Sequence, residues 1–264
     1  MTRPARVLAI AGSDSGGGAG LQADIKTLTV FGCYAMTAVT AVTVQDTTGV
    51  FGVHPVPPGV VGAQISRVLS DIGADAVKIG MLGSGAIAEA VAAALAAHAS
   101  IPLVLDTVML AKGGAALIDA AGVAVLKSRL MPGAWLVTPN APEAAALAGI
   151  HVETRDDLVL AGQALIALGA RAALVKGAHL EGATVTDALV TPDRVHLFEA
   201  PRIQSRSTHG TGCTLASAIA AGIAQGMTLY DSVARAHRYV REAISAAPGF
   251  GRGAGPLNHM HGQD

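Results

Sequence analysis

Residues 207–214 read Ser-Thr-His-Gly-Thr-Gly-Cys-Thr and are followed at once by the small, apolar run 215–223. Two glycines two residues apart, flanked by hydroxyl side chains at a helix start, let successive backbone N–H groups converge where the helix dipole also favours negative charge. The pattern predicts an anion cradle around Gly210 and Gly212. In the first helical turn the pKa of a thiol is lowered, so Cys213 is a candidate thiolate or proton acceptor. The alternative is a glycine-rich turn that only packs against a core helix.

Two polar side chains close runs that predict buried strands. Gln45 ends the β-branched run 38–45, and Asp106 ends the apolar run 103–106. An amide at a strand end suits a donor/acceptor pair with the edge of a heteroaromatic ring, and a turn amide bonding its own backbone is the alternative. A carboxylate is hard to bury without a partner, which favours a metal-phosphate site for Asp106 over a helix cap.

Two further strand ends carry groups that suit phosphate chemistry. Asn140 and Glu143 lie three residues apart at a helix start, where they serve as ordinary helix-start residues or bind a hydrated Mg²⁺ through water. Lys176 ends the predicted strand 172–176 just before a glycine, so it faces a phosphate or is a solvated surface lysine.

The N-terminal segment predicts the opening unit of an α/β fold. The apolar run 6–11, the glycine-rich turn 12–20 and the helical pattern 21–31 place that turn at the carboxyl edge of a sheet, where ligands gather. The glycines match neither the dinucleotide fingerprint nor a Walker loop. Asp24 either complements the helix dipole or points into the site, and Met81 is either core or a wall against a flat ring.

Strand and helix patterns alternate along the chain without an internal repeat or a linker. This alternation predicts one α/β domain over residues 1–264, with a single doubly wound, mainly parallel sheet flanked by helices and some antiparallel pairing late in the sequence. Residues 108–114 form a candidate lid. The tail 249–264 is rich in Gly and His, and its His259 and His261 give a weak metal signal.

The composition bounds the function classes. The chain is 51% hydrophobic and 14% charged, so it can build a large core. Its formal net charge is only −1, so its overall charge would not attract it to nucleic acid or to anionic lipid. No apolar stretch reaches the roughly 20 residues of a membrane span. The two cysteines, Cys33 and Cys213, make neither a disulfide framework nor a zinc pattern. We expect a cytoplasmic protein that an Ala-rich surface would allow to form a homodimer.

Several segments together resemble the ribokinase-like superfamily and, within it, the hydroxymethylpyrimidine and hydroxymethylpyrimidine-phosphate kinases of thiamine biosynthesis. They occur in the order typical of that family and cover nearly the whole chain. The matching segments are 11–14, 17–24, 78–82, 105–112, 138–140, 142–147, 176–177, 208–214 and 255–256.

The resemblance implies phosphorylation, dependent on ATP and Mg²⁺, of the hydroxymethyl group of a pyrimidine and then of the resulting monophosphate. It implies a pyrimidine pocket made by Gln45, Asp24, Gly12, Met81 and Val108. It implies a catalytic set of Gly210, Gly212, Cys213 and Lys176. For nucleotide and phosphates it implies Thr208, Thr211, Asn140 and Lys176, and for Mg²⁺, directly or through water, Asp106 and Glu143.

Two alternatives stay open from the sequence. A pyridoxal or pyridoxine kinase of the same fold acts on a similar small ring with a hydroxymethyl group. A non-catalytic module that senses ATP or pyrimidine would bind without turnover.

Overall fold

The computed structural model describes residues 3–111 and 114–262 of the chain. The strands are β1 Arg6–Ser13, β2 Tyr34–Asp46, β3 Gly49–Pro55, β4 Ala76–Ile79, β5 Leu103–Leu105, β6 Leu136–Val137, β7 Ala173–Lys176, β8 Thr184–Val190 and β9 Val195–Pro201. The helices are α1 Gly20–Val30, α2 Pro58–Asp71, α3 Gly85–Leu95, α4 Ala120–Val125, α5 Ala141–Ala148, α6 Arg155–Ala167, α7 Thr211–Ala224 and α8 Leu229–Ser245.

Within the described ranges these strands form one nine-stranded sheet in the order β3-β2-β1-β4-β5-β6-β7-β8-β9. Neighbouring strands within β2-β1-β4-β5-β6-β7 pair in parallel. The outer pairs β2–β3, β7–β8 and β8–β9 are antiparallel. The predicted doubly wound, mainly parallel α/β sheet is confirmed. That residues 1–264 form a single domain stays a prediction.

Strand β3 and helix α4 are among the elements that the sequence patterns do not predict. Strand β3 reads Gly-Val-Phe-Gly-Val-His-Pro and forms because it pairs antiparallel with the second half of β2. Its two glycines and terminal proline are poor strand formers, so tertiary pairing decides its structure. Helix α4 is short, and Asp119 caps it by accepting a hydrogen bond from the Gly122 N–H at 2.6 Å.

The helices cover both faces of the sheet, and β1 shows how one strand serves two cores. Leu8 and Ile10 pack with residues of α2 to α6, whereas Val7 and Ala9 pack with residues of α1, α7 and α8. Because successive side chains of a strand point to opposite faces, a central parallel strand reads as a continuous apolar run. Among the described residues, we find no helix with both the length and the apolar character required to cross a bilayer.

Candidate active site

The site lies along the carboxyl edge of the parallel strands. β1, β2, β4, β5, β6 and β7 run in the same direction, so the residues at and after their last positions meet at that edge. The N-terminus of α7 approaches the same edge. Polar groups that are far apart in sequence therefore become neighbours.

The start of α7 has the backbone form of an anion cradle. Gly210 is the N-cap and has a φ of +83°, a left-handed conformation that a glycine adopts at little cost. A Cβ at this position would overlap the carbonyl oxygen of Gly18, so the cradle rests directly on the first glycine-rich turn. Thr211 Oγ1 donates a hydrogen bond to Thr208 O at 2.8 Å, which ties the first turn of the helix to the segment before it.

A buried ion pair faces this cradle. Lys176 Nζ lies 3.1 Å from Asp106 Oδ1, and Thr138 Oγ1 donates to the same oxygen at 3.0 Å. Burial opposes ionisation of Asp106, but the charges of Lys176 and Lys78 outweigh it and lower its pKa. A Cβ built on Gly212 would lie 3.3 Å from Lys176 Nζ, so the lysine side chain closely approaches the backbone at Gly212. An ammonium group thus stands beside the cradle.

Asn140 and Glu143 form a capping box at the start of α5. The Glu143 N–H donates to Asn140 Oδ1 and the Asn140 N–H donates to Glu143 Oε2, both at 2.9 Å. Glu143 also accepts hydrogen bonds from Thr107 Oγ1 and the Met109 N–H, each at 3.3 Å. Burial raises the pKa of this carboxyl group. The helix-start reading is therefore correct for both residues, and any contact of Glu143 with a metal ion would be additional.

Asp24 is paired with other side chains inside the protein, and its contact with substrate stays a prediction. Its side chain is fully buried and accepts hydrogen bonds from Lys78 Nζ at 2.8 and 3.1 Å and from Ser217 Oγ at 2.7 Å. Lys78 is itself completely buried. Burial opposes the charge of Lys78, but the Asp24 carboxylate and its neighbours raise the pKa of Lys78, whereas burial raises the pKa of Asp24.

Lys78 is a residue that the sequence patterns did not single out. The signal was a lysine inside the apolar strand Ala76–Ile79, where a charged side chain needs a buried partner. Ser217 was missed for a similar reason, because a serine on an apolar helix is most often part of the packing.

Cys213 departs from the lowered pKa expected at a helix start. The side chain is partly exposed, yet burial raises its pKa to about 11. The charge of Lys78 lowers this pKa, as does an N–H donated by Gly20, whereas the carboxylates of Asp24 and Asp106 raise it. Desolvation outweighs the helix dipole, so the group is a thiol at neutral pH.

Gln45 lies beside the segment that forms the cradle. Its side-chain amide is 3.3 Å from His209 Nε2, and His209 Nε2 is 2.8 Å from Asp14 Oδ2. The Gln45 amide and the anion cradle are therefore on the same side of the molecule. Asp14 and His209 stood inside matching segments of the sequence, but no pattern gave either of them a role.

Of the remaining predicted pocket residues, Gly12 and Met81 lie together at the end of β1, whereas Val108 follows β5. Met81 is buried, and a Cβ on Gly12 would lie 3.0 Å from Met81 Sδ, so the two residues are in contact. Val108 donates its N–H to Asp106 O at 2.9 Å and is partly exposed. In the candidate lid 108–114, residues 112 and 113 lie outside the described part of the chain.

Residues 258–261 of the tail contact α7 and α8. His259 is buried and shares a 2.9 Å hydrogen bond with Thr214 Oγ1, while His261 Nε2 lies 3.3 Å from Glu242 Oε2. Across residues 3–111 and 114–262, no three His, Cys, Asp or Glu side chains are grouped so as to hold a metal ion. The weak metal signal of the tail thus corresponds to two separate structural contacts.

Comparison with known proteins decides the family. A family model described as phosphomethylpyrimidine kinase matches residues 14–258. The chain belongs to the phosphomethylpyrimidine kinase family. Family membership makes it a phosphotransferase, and the alternative of a non-catalytic sensing module is set aside.

Curated relatives of this kinase family align over almost the whole chain. A hydroxymethylpyrimidine/phosphomethylpyrimidine kinase of Streptomyces coelicolor is 46% identical, with 97% of this chain and 94% of that protein aligned. A thiamine biosynthesis bifunctional protein of Geobacter sulfurreducens is 51% identical over 96% of this chain, and the chain spans only 52% of that protein's length.

Solved structures of two kinds of kinase share the fold. The phosphomethylpyrimidine kinase of Clostridium difficile is 38% identical with a TM-score of 0.82, covering 91% of this chain and 99% of that one. An ADP complex of Bacillus subtilis pyridoxal kinase is 31% identical with a TM-score of 0.90, covering 98% of each chain. The fold alone therefore does not separate the two substrates.

Proposed function

We propose that this kinase transfers the terminal phosphoryl group of ATP to 4-amino-5-hydroxymethyl-2-methylpyrimidine and then to its monophosphate, giving the diphosphate used in thiamine diphosphate biosynthesis. The observation that carries the proposal is the position of Gln45, whose amide lies 3.3 Å from His209, the residue just before the Gly210 cradle. A ring held by that amide has its hydroxymethyl group within reach of a phosphate in the cradle. Because ATP is the donor, the proposal places the reaction in the cytoplasm.

The cradle and the lysine beside it supply the electrostatic part of the reaction. Phosphoryl transfer proceeds through a loose transition state with charge spread over the transferring oxygens, so positioning and charge stabilisation matter more than strong deprotonation. Backbone N–H groups at Gly210 and Gly212 and the ammonium of Lys176 suit that charge. The proposal assigns Thr208, Thr211 and Asn140 to the nucleotide phosphates. A protonated Cys213 contributes shape and a weak hydrogen bond more than basicity.

The acidic residues at this edge fit Mg²⁺. Asp106 and Glu143 offer only carboxylate oxygens, which this hard cation prefers, and Mg²⁺ is usually held by one or two carboxylates together with substrate phosphates and water. The oxygens of Glu143 already accept backbone and hydroxyl hydrogen bonds, which favours contact through water for that residue. Bound Mg²⁺ would neutralise charge on the transferring phosphate.

Pyridoxal phosphorylation is the second candidate, because solved pyridoxal kinases superpose with TM-scores near 0.90. The family model and the curated relatives favour the pyrimidine. Mass spectrometry of the products formed from ATP, Mg²⁺ and each substrate tests the choice, with a Lys176→Met variant as the control for contaminating kinases. We expect both the pyrimidine monophosphate and the diphosphate. A product from pyridoxal with no diphosphate from the pyrimidine would reject the proposal.

We also propose that the protein is a homodimer that associates through the ribbon formed by β3 and the end of β2. That end of β2 pairs with β3 alone, beyond the last residue paired with β1. The ribbon exposes large apolar side chains from both strands, with Phe51 of β3 70% exposed and Val44 of β2 52% exposed. Sedimentation should give a dimer mass for the wild type and a monomer mass for Phe51→Asp. A wild-type monomer would exclude this arrangement.

A further inference from the structure

His209 joins the two halves of the proposed site. Its Nε2 atom is 2.8 Å from Asp14 Oδ2 and 3.3 Å from the amide of Gln45. Its backbone N–H donates to Gly255 O at 3.0 Å, and a Cβ on Gly18 would lie only 2.6 Å from His209 Cδ2. The ring therefore packs closely against Gly18, and the backbone of His209 is held by Gly255 directly before the cradle glycine.

The contacts of Asp14 determine which proton His209 carries. The Asp14 carboxylate accepts N–H groups from Gly16 at 2.8 Å, Gly18 at 3.1 Å and Ala19 at 2.8 Å. Burial alone would raise its pKa, but these donors and His209 lower it, so Asp14 is ionised. An ionised carboxylate only accepts hydrogen bonds. His209 Nε2 must consequently carry a proton, which it donates to Asp14. The same N–H is the only group that Nε2 can present to Gln45, so the Gln45 atom that faces it must be an acceptor.

The contacts of Thr43 determine which atom of the Gln45 amide, the oxygen or the nitrogen, faces Thr43. Thr43 Oγ1 lies 2.9 Å from Ser13 O, which only accepts, and 3.1 Å from the Gln45 amide. A hydroxyl has one proton, so if it goes to Ser13 then Thr43 must accept from Gln45. An amide turned by 180° exchanges oxygen and nitrogen with almost no change in shape, and the hydrogen-bond network decides between the two arrangements. Every group is satisfied when the amide NH₂ faces Thr43 and the amide oxygen faces the His209 N–H.

We propose that His209 is a positioning residue for substrate recognition, because it fixes which way round the Gln45 amide presents its donor and its acceptor to the ring. This inference rests on the proposed function. An aminopyrimidine has an amino group next to a ring nitrogen, so it pairs with both amide groups, and reversing the amide would reverse the ring and move its hydroxymethyl group away from the cradle. Pyridoxal has no amino group beside its ring nitrogen and cannot make this pair.

Calorimetric titration with the hydroxymethylpyrimidine alone tests the inference without turnover. His209→Leu removes the N–H, and we expect its Kd for the pyrimidine to rise roughly tenfold, the size of a lost hydrogen bond in a buried site. His209→Gln places an N–H donor near the position of Nε2 and should recover most of that loss. The Kd for a non-hydrolysable ATP analogue should stay within about twofold in both variants, because the effect acts through Gln45.

A double-mutant cycle separates positioning from a general loss of structure. If His209 acts through Gln45, His209→Leu should change the Kd by less than about twofold when Gln45→Ala is already present. Thr43→Val, on β2 two residues before Gln45, removes the second restraint on the amide and should also weaken pyrimidine binding.

Two results would overturn the inference: equal weakening of pyrimidine and nucleotide binding by His209→Leu, or full additivity with Gln45→Ala. These differ from failure of the proposed function, in which the wild type itself would neither bind nor phosphorylate the pyrimidine. In that case the role of His209 would fall with it.

Discussion

The surroundings of Cys213 raise the pKa of its thiol, which disfavours a role for this residue as a base. The helix start and Lys78 favour a thiolate, but burial and the carboxylates of Asp24 and Asp106 raise its pKa to about 11. Near pH 7 almost every molecule therefore carries a neutral Cys213. A negatively charged thiolate next to the phosphate would repel it, so a neutral thiol suits a cradle whose purpose is to bind an anion.

Alkylation by iodoacetamide measures this pKa directly. In a Cys33→Ala chain, which leaves Cys213 as the single cysteine, the alkylation rate should rise about tenfold per pH unit from pH 7 and still be rising at about pH 9.5, because only the thiolate reacts. The free thiol of a small-molecule standard, measured in parallel, should level off near its own pKa. A plateau for Cys213 below about pH 8 would show a helix-activated thiolate instead.

The buried pair of Lys78 and Asp24 is a second residue-scale feature with a measurable cost. Lys78→Met would leave Asp24 buried without its counter-charge, a change that typically costs about 3–5 kcal/mol. The double variant Lys78→Met with Asp24→Asn removes both charges and keeps a hydrogen-bonding group for Ser217. Urea unfolding should therefore find the double variant more stable than the single one. Equal stabilities would mean that the pair does not act as a unit.

At the scale of elements, the junction between the first glycine-rich turn and α7 shapes the cradle. Gly210 has a φ of +83° and would place a Cβ against the Gly18 carbonyl, whereas Gly226, just after α7, has a φ of +79° and open space around it. The two positions share the left-handed backbone conformation but differ in their neighbours. They form a matched pair for mutation.

Gly210→Ala should lower kcat by at least about tenfold, because the displaced backbone N–H groups would no longer stabilise the transferring phosphate. Gly226→Ala should lose only the stability expected for a left-handed alanine, about 1 kcal/mol, and keep the wild-type kcat. Steady-state kinetics and thermal unfolding of both variants make the test. If both variants lost kcat equally, strain and not contact with Gly18 would explain the effect.

The elements also show which parts of the fold follow from sequence. The parallel strands were predicted because apolar runs with glycine or a polar residue at the end are typical of buried strands, and that pattern placed Gln45, Asp106 and Lys176 at one edge. Strand β3 was not predictable locally, because its partner in β2 determines it. Lys78 and His209 were missed because their roles depend on Asp24 and Asp14, which are distant in sequence and adjacent only after folding.

At the scale of the whole molecule, the C-terminal tail closes the layer of helices next to the site. Tyr239 Oη donates to His259 O at 2.8 Å, and the His259 ring hydrogen-bonds Thr214, the residue after Cys213. His209 and Pro256 add a short parallel bridge between tail and cradle segment. A change that loosens the tail is therefore transmitted to the start of α7.

His259 makes this closure sensitive to acid. Burial, with smaller effects from Lys26 and His261, lowers its pKa from 6.5 to about 4. Since the unfolded chain binds a proton near pH 6.5 and the folded chain does not until about pH 4, the stabilising effect of the neutral ring is present above pH 6.5 and is lost as the pH falls. Between pH 8 and pH 5 the loss amounts to about 2 kcal/mol.

Urea unfolding of the wild type and of His259→Gln, each at pH 8 and pH 5, measures this contribution. The wild type should lose about 2 kcal/mol more than the variant on acidification, because glutamine does not titrate. The exposed His151 provides the control, since His151→Gln should keep the wild-type dependence on pH. If the wild type and His259→Gln lost equal stability, the ring would be able to accept a proton inside the fold, and the hydrogen bond to Thr214 would have to survive with His259 charged.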